Sequence, residues 1–306
     1  MATSITTTYA GEFAGKYISA ALLSADTIEG GGITVKPNVK YKEVMKTLST
    51  NALVKDAACD FADQSTVTLA ERILQPEEFQ VNLELCKKDF HNDWEAIQMG
   101  YSAFDSLPPS FADFLIGHIA AKVAQKTEEN IWQGATANAG EFDGFTALLA
   151  ADATVIDVVG TTVTAANVID ELGKVVDAIP TSVYGKEDLY IYVSQSIARA
   201  YVRALGGFGA SGLGANGVNN AGTTWFNGGD LAFDGVKLFV CSGMADNDMV
   251  AAQKSNLFFG TGLLADHNEV KLIDMADLDG SQNVRVVMRF TSAVQYGIGA
   301  DIVYYT

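Results

Sequence analysis

The sequence predicts an α+β protein, and three observations carry that expectation. A long segment with helical spacing follows a proline pair at Pro108-Pro109, two shorter helical segments flank an apolar β-rich run, and residues 231–306 form alternating strand-like segments with turn residues at their bends. Helix, strand and helix followed by the hairpin from Leu231 make up a compact α+β lobe.

Taken in order, residues 14–23 have the spacing of a short helix, and Gly30-Gly31-Gly32 then breaks any regular element, so an arm precedes the fold. Ser65-Thr-Val-Thr-Leu-Ala-Glu-Arg-Ile-Leu74 and Phe79-Gln-Val-Asn-Leu-Glu-Leu-Cys86 flank Gln75-Pro76-Glu77-Glu78. In the second run Phe79, Val81, Leu83 and Leu85 alternate with polar residues, the period of a half-buried strand. The two runs are expected to pair as an extended hairpin. A two-stranded ribbon is marginal in water, so it must lie on its own core or on a neighbouring subunit.

Ser110-Phe-Ala-Asp113 has the form of a capping box, in which the serine hydroxyl accepts a free amide and the acid reaches back. Leu115, Ile116, Ile119, Ala120, Val123, Thr127 and Ile131 keep helical spacing, Lys122, Lys126, Glu128 and Glu129 mark a wetter side, and Gly134 ends the helix. From Phe111 to Gln133 it would run about 35 Å, enough to brace a domain. A second helix is expected from Ala165 to Ile179, with Val168, Ile169, Leu172, Val175, Val176 and Ile179 on one face and Pro180 as its stop. Leu189-Tyr-Ile-Tyr-Val193 reads as a buried strand, and Ser194 opens a third helix through Leu205, capped by Gly206. Asp234-Gly235 lies between two apolar runs of Leu231–Cys241, a hairpin signal because both residues tolerate positive φ. Strands are expected within 256–264, 270–274, 283–290 and 293–305, so the chain ends inside a sheet.

Composition bounds the function. A chain of 306 residues is long enough for two lobes and a sizeable core, and 29 glycines beside five prolines suggest many bends without proline-rich linkers. No apolar run approaches the roughly 20 residues of a membrane span, and the N-terminus lacks the pattern of a signal peptide. Cys59, Cys86 and Cys241 are odd in number and widely spaced, the pattern of buried thiols in a reducing compartment and of cytoplasmic synthesis. The net charge of −17 is uneven: residues 1–50 hold five lysines against four acids, so the acid sits in the body. Such a surface disfavours sequence-specific DNA binding, and it suits either a solvated soluble protein or a wall that encloses DNA without adhering to it.

Motifs with catalytic chemistry are thin. Gly207-x-Gly209-x-x-Gly212 has the form of a dinucleotide fingerprint, but a helix precedes it and glycines and asparagines follow, whereas phosphate binding needs a strand before and a helix after. The segment Gly206–Gly222 is read as a surface loop, with an intersubunit loop as its functional alternative. His91, His118 and His267 lack ligand-spaced partners and are read as structural. Asp246, Asp248, Asp277 and Asp279 are read as solvated turns, and Trp94, Trp132 and Trp225 as core or interface anchors. No catalytic, cofactor-binding or metal-binding residue is assigned, and the expectation is that the protein is not an enzyme.

The element order, together with Leu83-Glu-Leu-Cys-Lys-Lys-Asp-Phe90, Trp94-Glu95, Glu128-Glu-Asn-Ile-Trp-Gln-Gly134, Asn256–Gly262 with Asp266, and Arg285 with Arg289, resembles the major capsid proteins of tailed double-stranded DNA bacteriophages. That resemblance implies the Hong Kong 97-type fold: an N-terminal arm (1–30), an extended strand-rich E-loop arm (31–95), a P-domain with its spine helix (96–147), an A-domain (148–262), and returning P-domain strands with a closing A-domain strand (263–306). It further implies a self-assembling subunit of hexamers and pentamers in an icosahedral virion shell around packaged DNA, assembled in the host cytoplasm with separate scaffolding, portal and accessory proteins, and with neither cofactor nor membrane. Assembly contacts are expected at Phe79, Val81, Leu83, Gly207, Phe208, Gly209, Gly212 and Trp225, and the 31–95 arm would lie across an adjacent subunit. Lys36, Lys40 and Lys42 stand where some members crosslink their subunits, although solvated lysines are the plainer reading. An encapsulin-like compartment shell is the alternative within the fold, and a small enzyme using the Gly206–Gly222 loop is the alternative outside it.

Overall fold

The computed structural model describes residues 26–51, 54, 56, 57, 59, 66–86, 109–205, 231–262 and 271–306. The expected helix at 14–23 lies outside them. The described chain opens with one helical turn, α1 (Asp26–Glu29), and a short strand, β1 (Thr34–Lys36). β2 (Glu43–Thr50) and β3 (Val67–Leu74) then pair antiparallel from Glu43↔Leu74 to Thr50↔Val67. β4 (Glu77–Cys86) follows at once.

The extended hairpin exists, but with a different pair of strands from the one expected. β3 does not turn back onto β4. It pairs with β2, while β4 pairs with β12 (Asn283–Tyr296) from Cys86↔Asn283 to Glu77↔Ser292. The cause is local. Tight two-residue hairpins need positive φ at their bend, and Gln75-Pro76 supplies none, so the chain swings sideways. There Val81, Leu83 and Leu85 lie opposite the buried Met288, Val286 and Val284, an apolar match that the largely exposed β3 does not offer.

The long helix, α2, spans Pro109–Gln133 and starts two residues before the expected Phe111, with Pro109 in the first turn, where its missing N–H costs no bond. Gly134 follows its end, as expected. α3 (Phe145–Ala150) and β5 (Ile156–Val158) come next. α4 occupies Val168–Ala178, shorter at its start than expected. The reason is Asn167, whose Oδ1 accepts Thr164 N at 2.6 Å and Thr164 Oγ1 at 2.9 Å, holding 164–167 as a turn. At the other end Ile179 is extended, as the residue before Pro180 must be. β6 (Leu189–Ser194) leads directly into α5 (Gln195–Leu205), and Ser194 Oγ accepts the Ile197 amide at 3.5 Å.

β7 (Leu231–Phe233) and β8 (Val236–Cys241) form the hairpin expected at Asp234-Gly235, whose φ values of 45° and 78° give the turn both left-handed residues that it requires. β9 (Met249–Gln253), β10 (Leu257–Gly260), β11 (Lys271–Asp274), the turn α6 (Ala276–Asp279), β12 and β13 (Val303–Tyr305) complete the chain.

Two larger sheets result. One has the order β5-β13-β9-β6-β8-β7, so the final strand does lie within a sheet, between β5 and β9. The other runs β1-β10-β12-β11, with β4 on β12. The first sheet is buried on both faces. Leu189, Ile191 and Val193 of β6 join Leu172, Val175 and Ile197 of α4 and α5 in one core. Tyr192 points the other way, into a second core with Trp132, Phe145 and Leu149, where Leu257, Phe259 and Tyr296 of the second sheet meet it. This shared core joins the sheets, and the end of α2 enters it.

That entry explains one miss. Glu128, placed by helical spacing on the wetter side, is wholly buried, as are Ile131 and Trp132. Its carboxylate accepts the Thr27 amide at 3.1 Å and the Thr27 hydroxyl, which in turn accepts Trp132 Nε1 at 2.9 Å. Burial pushes the Glu128 carboxyl up to about 7.

Candidate assembly surface

The β2–β3 ribbon has the polarity of its two faces reversed. Strand alternation puts Met45, Thr47, Ser49, Thr68, Ala70, Arg72 and Leu74 on the face toward the body, where only Met45 and Leu74, at the root, are buried. The outward face carries Val44 opposite Ile73, Leu48 opposite Leu69, and Val67, with Leu48, Val67 and Leu69 exposed by 64%, 59% and 72%. A single exposed Leu is ordinary, but five aliphatic side chains on one face of a ribbon, interrupted by the Lys46–Glu71 pair, make that face the candidate contact surface.

The root is fixed in two ways. Leu74 and Met45 pack with Ala293 and Phe258, and Gly260 permits this approach, because a Cβ there would come within 2.8 Å of Leu74 Cδ2. Polar contacts add direction. Arg72 lies over the Tyr296 ring at 4.2 Å, donates from Nε to Gly297 O at 2.9 Å, and pairs through Nη2 with Asp152. Asp152 also accepts the Tyr296 hydroxyl at 2.6 Å and Thr154 N at 2.9 Å. The Tyr296 hydroxyl bond, ahead of the Thr154 amide and Arg72, holds the Asp152 carboxyl far below the usual range, while burial and Asp152 push the Tyr296 phenol up to about 12. On β2, Glu43 pairs with Lys36 of β1.

Phe79, Val81 and Leu83 are half-buried on the inner face of β4. Phe79 lies 5.7 Å from the Phe290 ring and 6.0 Å from Phe142, contacts made within the subunit. The stripe of the ribbon was not among the expected contacts, although Leu48, Val67 and Leu69 sit in a readable alternation; period alone does not say which face turns inward. Gly207, Phe208, Gly209, Gly212 and Trp225 lie outside the described residues, as do His91, Trp94, Asp266 and His267.

Other expectations resolve individually. Trp132 is a core anchor, as expected. The cysteines differ from expectation: all three are free, but only Cys241 is buried, while Cys86 is half-buried and Cys59 exposed. Asp248 is not a fully solvated turn residue, since partial burial pushes its carboxyl up to about 6 despite a bond from Tyr304. Among the described residues no group of three or more His, Cys, Asp or Glu side chains could hold a metal ion.

Comparison with solved structures shows the fold. The chain is similar to the capsid of a native GTA particle (10% identity, TM-score 0.63, 95% of this chain and 93% of that one). It is also similar to the capsid of Myoviridae phage XM1 (11%, TM-score 0.58, 99% and 94%) and to a chain of Gordonia phage Cozz (10%, TM-score 0.60, 95% and 89%). The architecture is thus that of phage capsid subunits, the Hong Kong 97-type fold. No protein-family model matches the chain, and comparison with curated proteins finds no match.

Proposed function

We propose that the chain is a structural subunit of a bacteriophage capsid, which self-assembles into hexamers and pentamers that close an icosahedral shell around packaged double-stranded DNA. The observation that carries this reading is the ribbon, whose outward stripe presents apolar area that no described residue covers. Covering one exposed Leu of that stripe with a neighbour would contribute about 1.5–3 kcal/mol, and head-to-tail contacts repeated around an axis close a ring. The likeness of the whole chain to capsid structures supports the reading, and the acidic body suits a wall that must not adhere to the polyanion inside. In this reading residues 31–95 reach across an adjacent subunit, 148–262 face the capsomer centre, and separate scaffolding, portal and accessory proteins assist assembly in the host cytoplasm.

The test is sedimentation and negative-stain imaging of the purified chain, alone and coexpressed with candidate scaffolding proteins. Shells are expected. Replacing Leu48, Val67 and Leu69 together by Ser should abolish them while moving the thermal midpoint of the subunit by no more than about 2 °C, because these side chains are largely exposed in the isolated subunit. A chain that stays monomeric under every condition would overturn the proposal, and shells that enclose a protein cargo instead of DNA would favour a cellular compartment.

A further inference from the structure

We propose that Arg72 is the positioning residue of the ribbon: its contacts with Asp152, Tyr296 and Gly297 fix the angle at which the apolar stripe is presented before any neighbour binds. This rests on the capsid reading and concerns the same surface.

The argument starts from what holds a two-stranded ribbon that projects from a body. Beyond Arg72 and its cross-strand partner Met45, the body-facing side chains are Thr47, Ser49, Thr68 and Ala70, small groups that are exposed or half-buried. Among the described residues the ribbon is therefore set by its root alone. Leu74 and Met45 supply a hydrophobic pivot there, and burial of apolar area has no preferred direction. Arg72 supplies what the pivot lacks. A guanidinium is a planar fork, and here its central carbon lies over one ring at 4.2 Å, while Nε meets a carbonyl at 2.9 Å and Nη2 a carboxylate. Three contacts in three directions determine an orientation, which a point charge on a flexible stem would not.

The anchor points also belong to different parts of the fold. Tyr296 ends β12, and Asp152 follows α3 and is held in place by the Tyr296 hydroxyl and by Thr154. The clamp thus refers the ribbon to both the second sheet and the helix packed beneath it. Gln295 Nε2 adds a bond to Ile73 O at 3.2 Å on the same side. The Lys36–Glu43 pair ties only the first residue of β2 to β1, below the pivot.

A distance measurement tests this directly. Spin labels on introduced cysteines at exposed Ser49 of β2 and at exposed Lys186, with Cys59→Ser and Cys86→Ser to silence the other accessible thiols, report the ribbon angle in unassembled subunits. One narrow distance distribution is expected. Arg72→Ala should widen it about twofold and Arg72→Lys by less, with the thermal midpoint close to that of the parent in both. Closed shells should fall about tenfold for Arg72→Ala and recover in part for Arg72→Lys. Should Arg72→Ala lower stability broadly, Tyr296→Phe, which keeps the ring and removes the hydroxyl's bonds to Asp152 and to Leu148 O, gives the milder test and should widen the distribution slightly. An unchanged distribution in Arg72→Ala would overturn the assignment, and so would a widened one with normal shell yield. Failure of the unaltered chain to form shells would instead sink the capsid reading and leave the distances to decide on the clamp.

Discussion

Two hairpins in this chain obey the same period and opposite polarity. In β7–β8 the alternating apolar residues, Leu231, Val236 and Leu238, turn inward and are buried against α4 and α5, and the strands extend a larger sheet. In β2–β3 Val44, Leu48, Leu69 and Ile73 turn outward, with Lys46 and Glu71 between them, and among the described residues the strands pair only with each other. The lesson concerns completeness. The first hairpin is finished by its own subunit; the second carries outward aliphatic side chains that no described residue covers, and it is on this ground that an assembly is proposed to complete it.

The largest expected effect separates the two directly. Leu238→Ala empties a core site and should destabilise the isolated subunit by about 2–5 kcal/mol in urea titration, whereas Leu69→Ala should change it by no more than about 0.5 kcal/mol. Both should weaken particles, one through the fold and one through the contact. Equal costs in the isolated subunit would show that the outward stripe is covered by its own chain and would break the comparison.

A smaller effect depends on pH. Two residues past β8, Gly243 packs on Glu128, a carboxyl that keeps its proton up to about 7 in the fold against an ordinary value near 4.5. Between those values the folded state binds more protons than the unfolded chain, so stability falls as pH rises through the window, by at most about 3 kcal/mol, and the penalty is absent below it. Half-buried Asp248, raised to about 6, adds the same sign. Urea titrations at pH 5 and pH 8 should show the slope, and Glu128→Gln should flatten it. Hydrogen exchange should place the loosening around Thr27 and the end of β8. The ribbon is anchored elsewhere, at an Asp152 whose carboxyl stays ionised well below this range, and should not follow.

Much of this was legible in sequence wherever one local signal decided the outcome. Pro180 ended α4 because the residue before a proline leaves the helical region, and Asp234-Gly235 set a turn because only such residues accept its φ. Legibility failed where two distant partners competed. β4 showed its inner face correctly, but whether Phe79 lay opposite β3 or Phe290 depended on a strand some two hundred residues away. Glu128 was misplaced because helical spacing assumes one dry side, whereas the end of α2 is enclosed by Thr27 and by both sheets. The outward stripe was missed for a related reason: a period of two reports alternation, not which neighbour lies on which side.

The smallest effect tests how each hairpin holds its register. In β7–β8 the bend demands left-handed backbone at Gly235, φ 78°, so Gly235→Ala should cost about 1–2 kcal/mol and Gly235→Asn less, since Asn tolerates that region. Sixteen residues, 51–66, separate β2 from β3, too many for a two-residue turn, and the pairing is held by the root, by the Asn51–Thr66 bonds and by cross-strand partners such as Leu48 and Leu69. A turn substitution should therefore lower the thermal midpoint of the subunit without altering spin-label distances in the ribbon, while loss of Arg72 should do the reverse. Should Gly235→Ala widen the ribbon distances as well, the two hairpins would be coupled through the second core, and the division between a self-sufficient hairpin and a deferred one would give way to a single cooperative unit.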